Sequence, residues 1–188
     1  MNTARPDPLP AGNPLSEVLR VRVLEPYAAN ARYVHRAVLT QAGDGSSPRA
    51  ADPSSWIRLD GTCGFEAPCY IAPTGHFNAV EANITYNQLL YLALAEAIRL
   101  RLIPALRHWT LEDFFRAQLP DVLIATYHAN FRRPLRSHQY DGWFAFVDVL
   151  PKSHRRLLLL QTRAGFSGLG GGECSIDATI ALVNWQPA

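Results

Sequence analysis

The residues from Tyr70 to Ile98, "YIAPTGHFNAVEANITYNQLLYLALAEAI", constrain the fold more than any other stretch of the chain. From Val80 to Ile103 the apolar positions run nearly all the way round a helical projection, and Pro104 ends or kinks the run. A helix that is apolar on most sides must be covered on most sides. Yet this one carries His76, Asn78, Glu81, Asn83, Asn87 and Gln88 at its start and along its first half. A buried polar group left unpaired costs about 1–3 kcal/mol. These residues are therefore expected to cap the helix, to face solvent or to serve a ligand.

The other segments supply the cover. "PLSEVLRVRVL" reads as a short helix with Ser16 as its cap, and Pro26 in "EPY" breaks it. "ARYVHRAVLT" and "WIRLDGTCGFE" read as a strand pair joined by the long polar tip "QAGDGSSPRAADPSS". After the long helix, "TLEDFFRAQLP" is a shorter one, with Thr110 as N-cap and Asp113 at the third helical position. Four strand-like runs follow, "VLIATYHANFRRPL", "YDGWFAFVDVLP", "RRLLLLQTRAGF" and "ECSIDATIALVNW", separated by "RSHQ", "KSH" and "SGLGGG". They are expected to form a four-strand meander. One long helix wrapped by a curved antiparallel sheet satisfies this order, which is an α+β chain with the hot-dog layout. A length of 188 residues suits a single domain, read as residues 15–188 behind a flexible Pro-rich tail at 1–14.

Bulk properties exclude several function classes. The formal net charge is only +2 and no nucleic-acid-binding motif is present. The N-terminus has no apolar secretory core and no run reaches membrane-spanning length, so a cytoplasmic protein is expected. Cys63, Cys69 and Cys174 are odd in number and irregularly spaced, which points to neither a disulfide framework nor a metal site. Nothing shows Cys69 to be an activated thiolate, so it reads as structural. "GLGGGE" lacks the following helix and the Lys-Ser/Thr of a phosphate loop and reads as a hairpin tip. Lys152 is the only lysine, so the basic clusters "FRRPLRSH" and "KSHRR" are mostly arginine: a solvated face, or a docking surface for an acyl-carrier protein or the phosphates of coenzyme A.

The polar residues of the long helix can be ranked by position. Asn78 and Glu81 are spaced as a capping box. Capping does not preclude chemistry, because unpaired amides at a helix N-terminus polarise a carbonyl and stabilise an oxyanion formed from it. His76, at the helix entrance, is placed to move a proton. Glu81 is a candidate base or an anchor for an amine. Asn83 and Asn87 share a helix face, with amides free for solvent or ligand. Tyr70 stands beside the turn that carries His76, as a core ring with a wet tip or a site residue.

"RVLEPY" (Arg22 to Tyr27) and "YIAPTGHFNAVE…NQLLY" (Tyr70 to Tyr91) resemble the FcoT-type hot-dog enzymes, named as long-chain fatty acyl-CoA thioesterases. "GHFN" is also distantly similar to the "GHFP" of hot-dog hydroxyacyl-carrier-protein dehydratases. Asn78 replaces that proline, however, and Leu90 stands where an acidic residue is expected, which disfavours a dehydratase. The FcoT resemblance implies a site of Tyr27, Tyr70, Asn78 and Asn87, with His76 and Glu81 in the same motif. It implies either thioester hydrolysis or, as in isonitrile lipopeptide pathways, Michael addition of glycine to the β-carbon of an enoyl group on an acyl-carrier protein. It calls for no cofactor beyond the phosphopantetheine that carries the substrate. Arg32, Arg58 and Arg132 are candidates for the glycine carboxylate. A homodimer or higher homo-oligomer is expected, and a non-catalytic acyl-binding module is the alternative outside enzymology.

Overall fold

A computed structural model describes residues 12–42 and 56–187, with only the backbone given for Gln41 and Ala42. Residues 1–11 of the tail and the polar tip at 43–55 lie outside the described residues. The elements are β1 (Asn13–Pro14), α1 (Glu17–Leu24), β2 (Val34–Ala42), β3 (Ile57–Cys63), α2 (Ala79–Arg99), α3 (Leu111–Ala117), β4 (Val122–Arg133), β5 (Tyr140–Lys152), β6 (Leu157–Gly168) and β7 (Gly172–Leu182). The strands form one seven-stranded antiparallel sheet in the order β1-β2-β3-β5-β6-β7-β4. The α+β hot-dog expectation holds.

Two details differ from the sequence reading. Only β5, β6 and β7 form a meander; β4 does not pair with β5 but lies at the far edge, against β7. The loop at 134–139 therefore crosses the sheet end rather than turning tightly, and its Leu135 and Ser137 are buried. Asn13 and Pro14, read as tail, pair with Leu39 and Val38 and are held to the sheet.

α2 is buried along most of its length, from Glu81 to Ile98, with only Asn83, Ile84 and Asn87 partly open. It approaches the sheet closely because Gly61 and Gly142 face each other across β3 and β5. A Cβ on either would stand 3.1 Å from a Leu89 methyl, so the glycine pair is the seat of Leu89. The helix stops before Pro104 is reached. Arg101 takes a left-handed conformation (φ 55°), with Leu102 N bonded to Ala97 O at 2.8 Å and Arg101 N to Ile98 O at 3.0 Å. That pattern closes the last turn and turns the chain inward to bury Ile103. Pro104 instead opens a short 3₁₀ turn.

α1 is capped by Ser16 and α3 by a reciprocal Thr110–Asp113 box, as read from sequence. The "SGLGGG" segment is the β6–β7 hairpin tip, with Gly170 and Gly171 at positive φ. No helix among the described residues is long and apolar enough to cross a membrane.

Candidate active site

The start of α2 gathers Tyr70, His76, Asn78 and Glu81. Asn78 adopts the extended conformation of an N-cap, and its Oδ1 accepts from the Val80 amide at 2.9 Å. Glu81 Oε2 reaches back to the Asn78 amide at 3.2 Å, completing the capping box. The Tyr70 hydroxyl donates to Asn78 Oδ1 at 2.9 Å and lies 3.4 Å from Glu81 Oε2, so it ties the preceding loop to the helix start. Capping accounts for Asn78 and for one oxygen of Glu81. The other oxygen, Oε1, is buried with no hydrogen-bond partner.

His76 is exposed beside Gly75, whose φ of 78° makes the tight turn before the helix. Its Nδ1 donates to the Thr74 carbonyl at 3.1 Å, which leaves Nε2 as the nitrogen able to accept a proton. His76, Phe77, Asn78 and Ala79 line a groove of about 370 Å³ opposite Phe131, Arg132 and Arg133. Among the described residues nothing accepts from the Ala79 amide, which stands at the exposed first position of α2 on the edge of this groove. Arg132 is 3.5 Å from Glu173 at the rim.

The other predicted residues fall elsewhere. Asn87 Nδ2 donates to Asn83 O and Oδ1 at 3.1 and 3.0 Å, half-buried in mid-helix. Nine residues separate it from Asn78, about 14 Å of helix rise, and six from Glu81, which turns it about 120° away. Within one protomer, therefore, Asn87 does not join the Tyr70–Asn78–Glu81 cluster. Tyr27 packs beside Tyr91, one turn beyond Asn87; burial first, then Tyr91, pushes its hydroxyl well up. Arg32 spends Nε on the Tyr27 carbonyl at 3.0 Å and Nη2 on the Glu25 carbonyl at 3.2 Å, holding the Pro26 turn. Arg58 does not join the residues at the start of α2. It points from the sheet face opposite α2, paired with Asp60 at 2.8 Å and stacked on Trp143 at 4.7 Å.

Thr85 and Tyr140, which sequence reasoning did not reach, complete the inner side with Gln88, to which it gave no role. Thr85 Oγ1 donates to Glu81 O at 2.8 Å and lies 2.7 Å from the Tyr140 hydroxyl. Gln88 accepts from the Tyr33 and Val34 amides at 2.9 and 3.1 Å and donates to Ala31 O at 2.5 Å. Glu81, Thr85 and Gln88 recur at helical spacing, a buried polar stripe that period counting on the sequence could have flagged. Cys174 and Cys63 do not compete as nucleophiles: burial pushes Cys174 up to about 12 and Cys63 higher still.

The FcoT-like thioesterase domain matches residues 22–182. The chain belongs to this family. A (2E)-enoyl-[ACP] glycyltransferase of Streptomyces coeruleorubidus is 36% identical over 173 residues, covering 89% of this chain and 97% of that protein. Proteins of the same name from Mycobacterium marinum and Mycobacterium tuberculosis are 33% and 34% identical, covering 90% and 91% of this chain and 88% of each relative. Among solved structures, a Shewanella oneidensis protein described as a thioesterase superposes with a TM-score of 0.52 at 9% identity, over 89% of this chain and 99% of that one. One from Syntrophus aciditrophicus gives 0.51 at 10% identity, over 89% and 97%. These two show the fold alone. In this FcoT-family chain the helical residues that carry the resemblance lie at both the capped start of α2 and its half-open middle.

Proposed function

We propose that this chain is a cytoplasmic enzyme that adds glycine to the β-carbon of a (2E)-enoyl group held as a thioester on an acyl-carrier protein. The observation that carries this reading is Glu81: a buried carboxylate with one free oxygen, set beside helix amides suited to a thioester carbonyl. Hydrolysis and amine addition both use a polarised carbonyl and a base; a base sheltered from bulk water, as Glu81 is, favours an amine over water as the nucleophile. The relatives' names agree with it.

In the proposed step the glycine ammonium gives a proton to Glu81 and its nitrogen attacks C3. The C2–C3 π electrons move to C2 and onto the thioester oxygen, where the amide of Ala79 and the helix dipole stabilise the enolate. The new secondary ammonium passes a proton to His76 Nε2, which hands it to C2 and restores the carbonyl, and the proton held by Glu81 returns to the product amine. One C–N bond forms, one π bond is lost and the thioester stays intact. The balance calls for no redox cofactor and no metal. Arg32 and Arg132 remain as partners for the glycine carboxylate. Arg132, Arg133 and Arg136 form the carrier-docking rim. The "KSHRR" cluster stands at the other end of the 13-residue β5, roughly 40 Å of strand rise away. β4 is a sheet edge with Leu123 and Phe131 exposed, which supports pairing of two copies there and a shared site that includes Asn87 and Tyr27.

Incubation of an enoyl-carrier protein with isotopically labelled glycine tests the reading by mass spectrometry. A labelled adduct still attached to the carrier is expected. Release of free acid without label would replace it with thioesterase activity, which the same carbonyl site supports. Tight acyl binding with neither product would make the chain a binding module.

A further inference from the structure

The unpartnered oxygen of Glu81 has a counterpart. The Tyr33 hydroxyl is also buried and without a hydrogen-bond partner, in a residue only 1% exposed. Tyr33 immediately precedes β2 and lies on the same side of α2, where Gln88 receives its amide. The Tyr33 ring stacks on Phe65 at 4.5 Å. Phe65 in turn meets the Tyr140 ring at 6.3 Å, and the Tyr140 hydroxyl is tied to Thr85, one turn from Glu81. Cys69 stands beside the Tyr33 hydroxyl without making a hydrogen bond of good geometry to it: burial first, then the Cys69 thiol and last the Glu81 carboxylate push the hydroxyl up. Each of these two buried oxygens, both on the β2 side of α2, costs about 1–3 kcal/mol unless a donor reaches it.

We propose that Glu81 Oε1 and the Tyr33 hydroxyl form a cup for a primary ammonium group, and that Tyr33 fixes the amino group of the incoming amino acid against the Glu81 carboxylate. Both oxygens accept from N–H. The aromatic rings of Phe65 and Tyr140 add cation-attracting faces. The half-exposed loop bearing Cys69 and Tyr70 is the side from which a small amine enters. Gln88 acquires a role here, because it sets the register in which Tyr33 reaches the cup. The proposal rests on the amine-addition reading, but it names a residue outside the motif that suggested that reading.

The test compares wild type, Tyr33→Phe and Glu81→Gln with enoyl-carrier protein and glycine. Tyr33→Phe is expected to raise KM for glycine about tenfold, the effect of losing roughly 1.4 kcal/mol of binding. KM for the acyl carrier should stay within about twofold, and thermal stability should be equal or higher because an orphaned hydroxyl is gone. Glu81→Gln is expected to lose turnover. An unchanged glycine KM in Tyr33→Phe, or equal losses on both substrates with a lowered Tm, would overturn the cup. If wild type forms no adduct, the amine-addition reading fails by itself, and calorimetric titration with glycine still decides the cup. Binding to wild type that is lost in Tyr33→Phe supports it; no binding to wild type, or equal binding to both, refutes it.

Discussion

Replacing Gln88 with leucine should reveal how much of the site's geometry depends on one buried amide. Gln88 is fully buried and makes three hydrogen bonds of 2.5–3.1 Å, to the Tyr33 amide, the Val34 amide and the Ala31 carbonyl. Leucine keeps the shape of the side chain and leaves little cavity, so the loss is almost purely polar. At about 1 kcal/mol per bond, and more where a buried partner stays unsatisfied, the change costs about 3 kcal/mol or more. For a domain of this size each kcal/mol lowers Tm by about 2–4 °C, so a fall of about 6–12 °C is expected. Calorimetry or urea unfolding measures it. Because Gln88 also sets the start of β2, glycine KM should rise in the same variant while carrier KM moves less. A stability loss below about 1 kcal/mol, with normal glycine KM, would refute both the clamp and its link to Tyr33.

Other perturbations separate capping from chemistry. Asn78→Ala removes the cap and the Tyr70 tether and should cost about 1 kcal/mol in unfolding experiments. Asn78→Asp keeps an acceptor oxygen and should recover most of that stability. His76→Ala and Asn87→Ala should retain the fold, judged by circular dichroism, and lose turnover; unfolding of both at ordinary temperature would assign them structural roles. Alkaline pH should destabilise the protein. Cys174 is held near 12 against an ordinary value of 9.0, and Cys63 and Tyr140 are also raised by burial. Above about pH 9 the unfolded chain binds fewer protons than the native one, so stability falls as pH rises toward 12. A urea midpoint that stays flat from pH 8 to pH 11 would contradict this.

Local rules made much of the fold legible. The capping boxes at Asn78 and Thr110, the Ser16 cap, the glycine-rich hairpin tip and the long buried helix all follow from residue type and spacing. What sequence could not supply was long-range pairing. β4 and β5 are adjacent in sequence, and each alternates well enough to form a hairpin. Yet β4 pairs with β7, because α2 already covers the inner face and the loop through Leu135 can span the sheet end. The stop of α2 differs from the sequence expectation for another reason. Proline is a visible terminator, but the left-handed Arg101 that ends the helix first carries no such mark, since glycine is the usual residue there.

The polar residues of α2 look like one set in sequence and divide into three by direction. Asn78 and half of Glu81 serve the helix end. Asn83 and Asn87 face the half-open side. The rest of Glu81, with Thr85 and Gln88, faces β2 and the Tyr33 hydroxyl. A helix turns about 100° per residue, so Glu81 and Asn87 cannot meet one small reacting group from the same protomer. Either one of them lies outside the chemistry, or a second copy brings its own half-open face to the first copy's groove. The second alternative explains why β4, the strand nearest that groove, keeps an exposed edge with Phe131 at its end. It also makes the division functional. Under the proposed function the buried stripe would hold the nucleophile and one copy's helix end the thioester carbonyl, leaving the other copy's Asn87 face for the acyl chain.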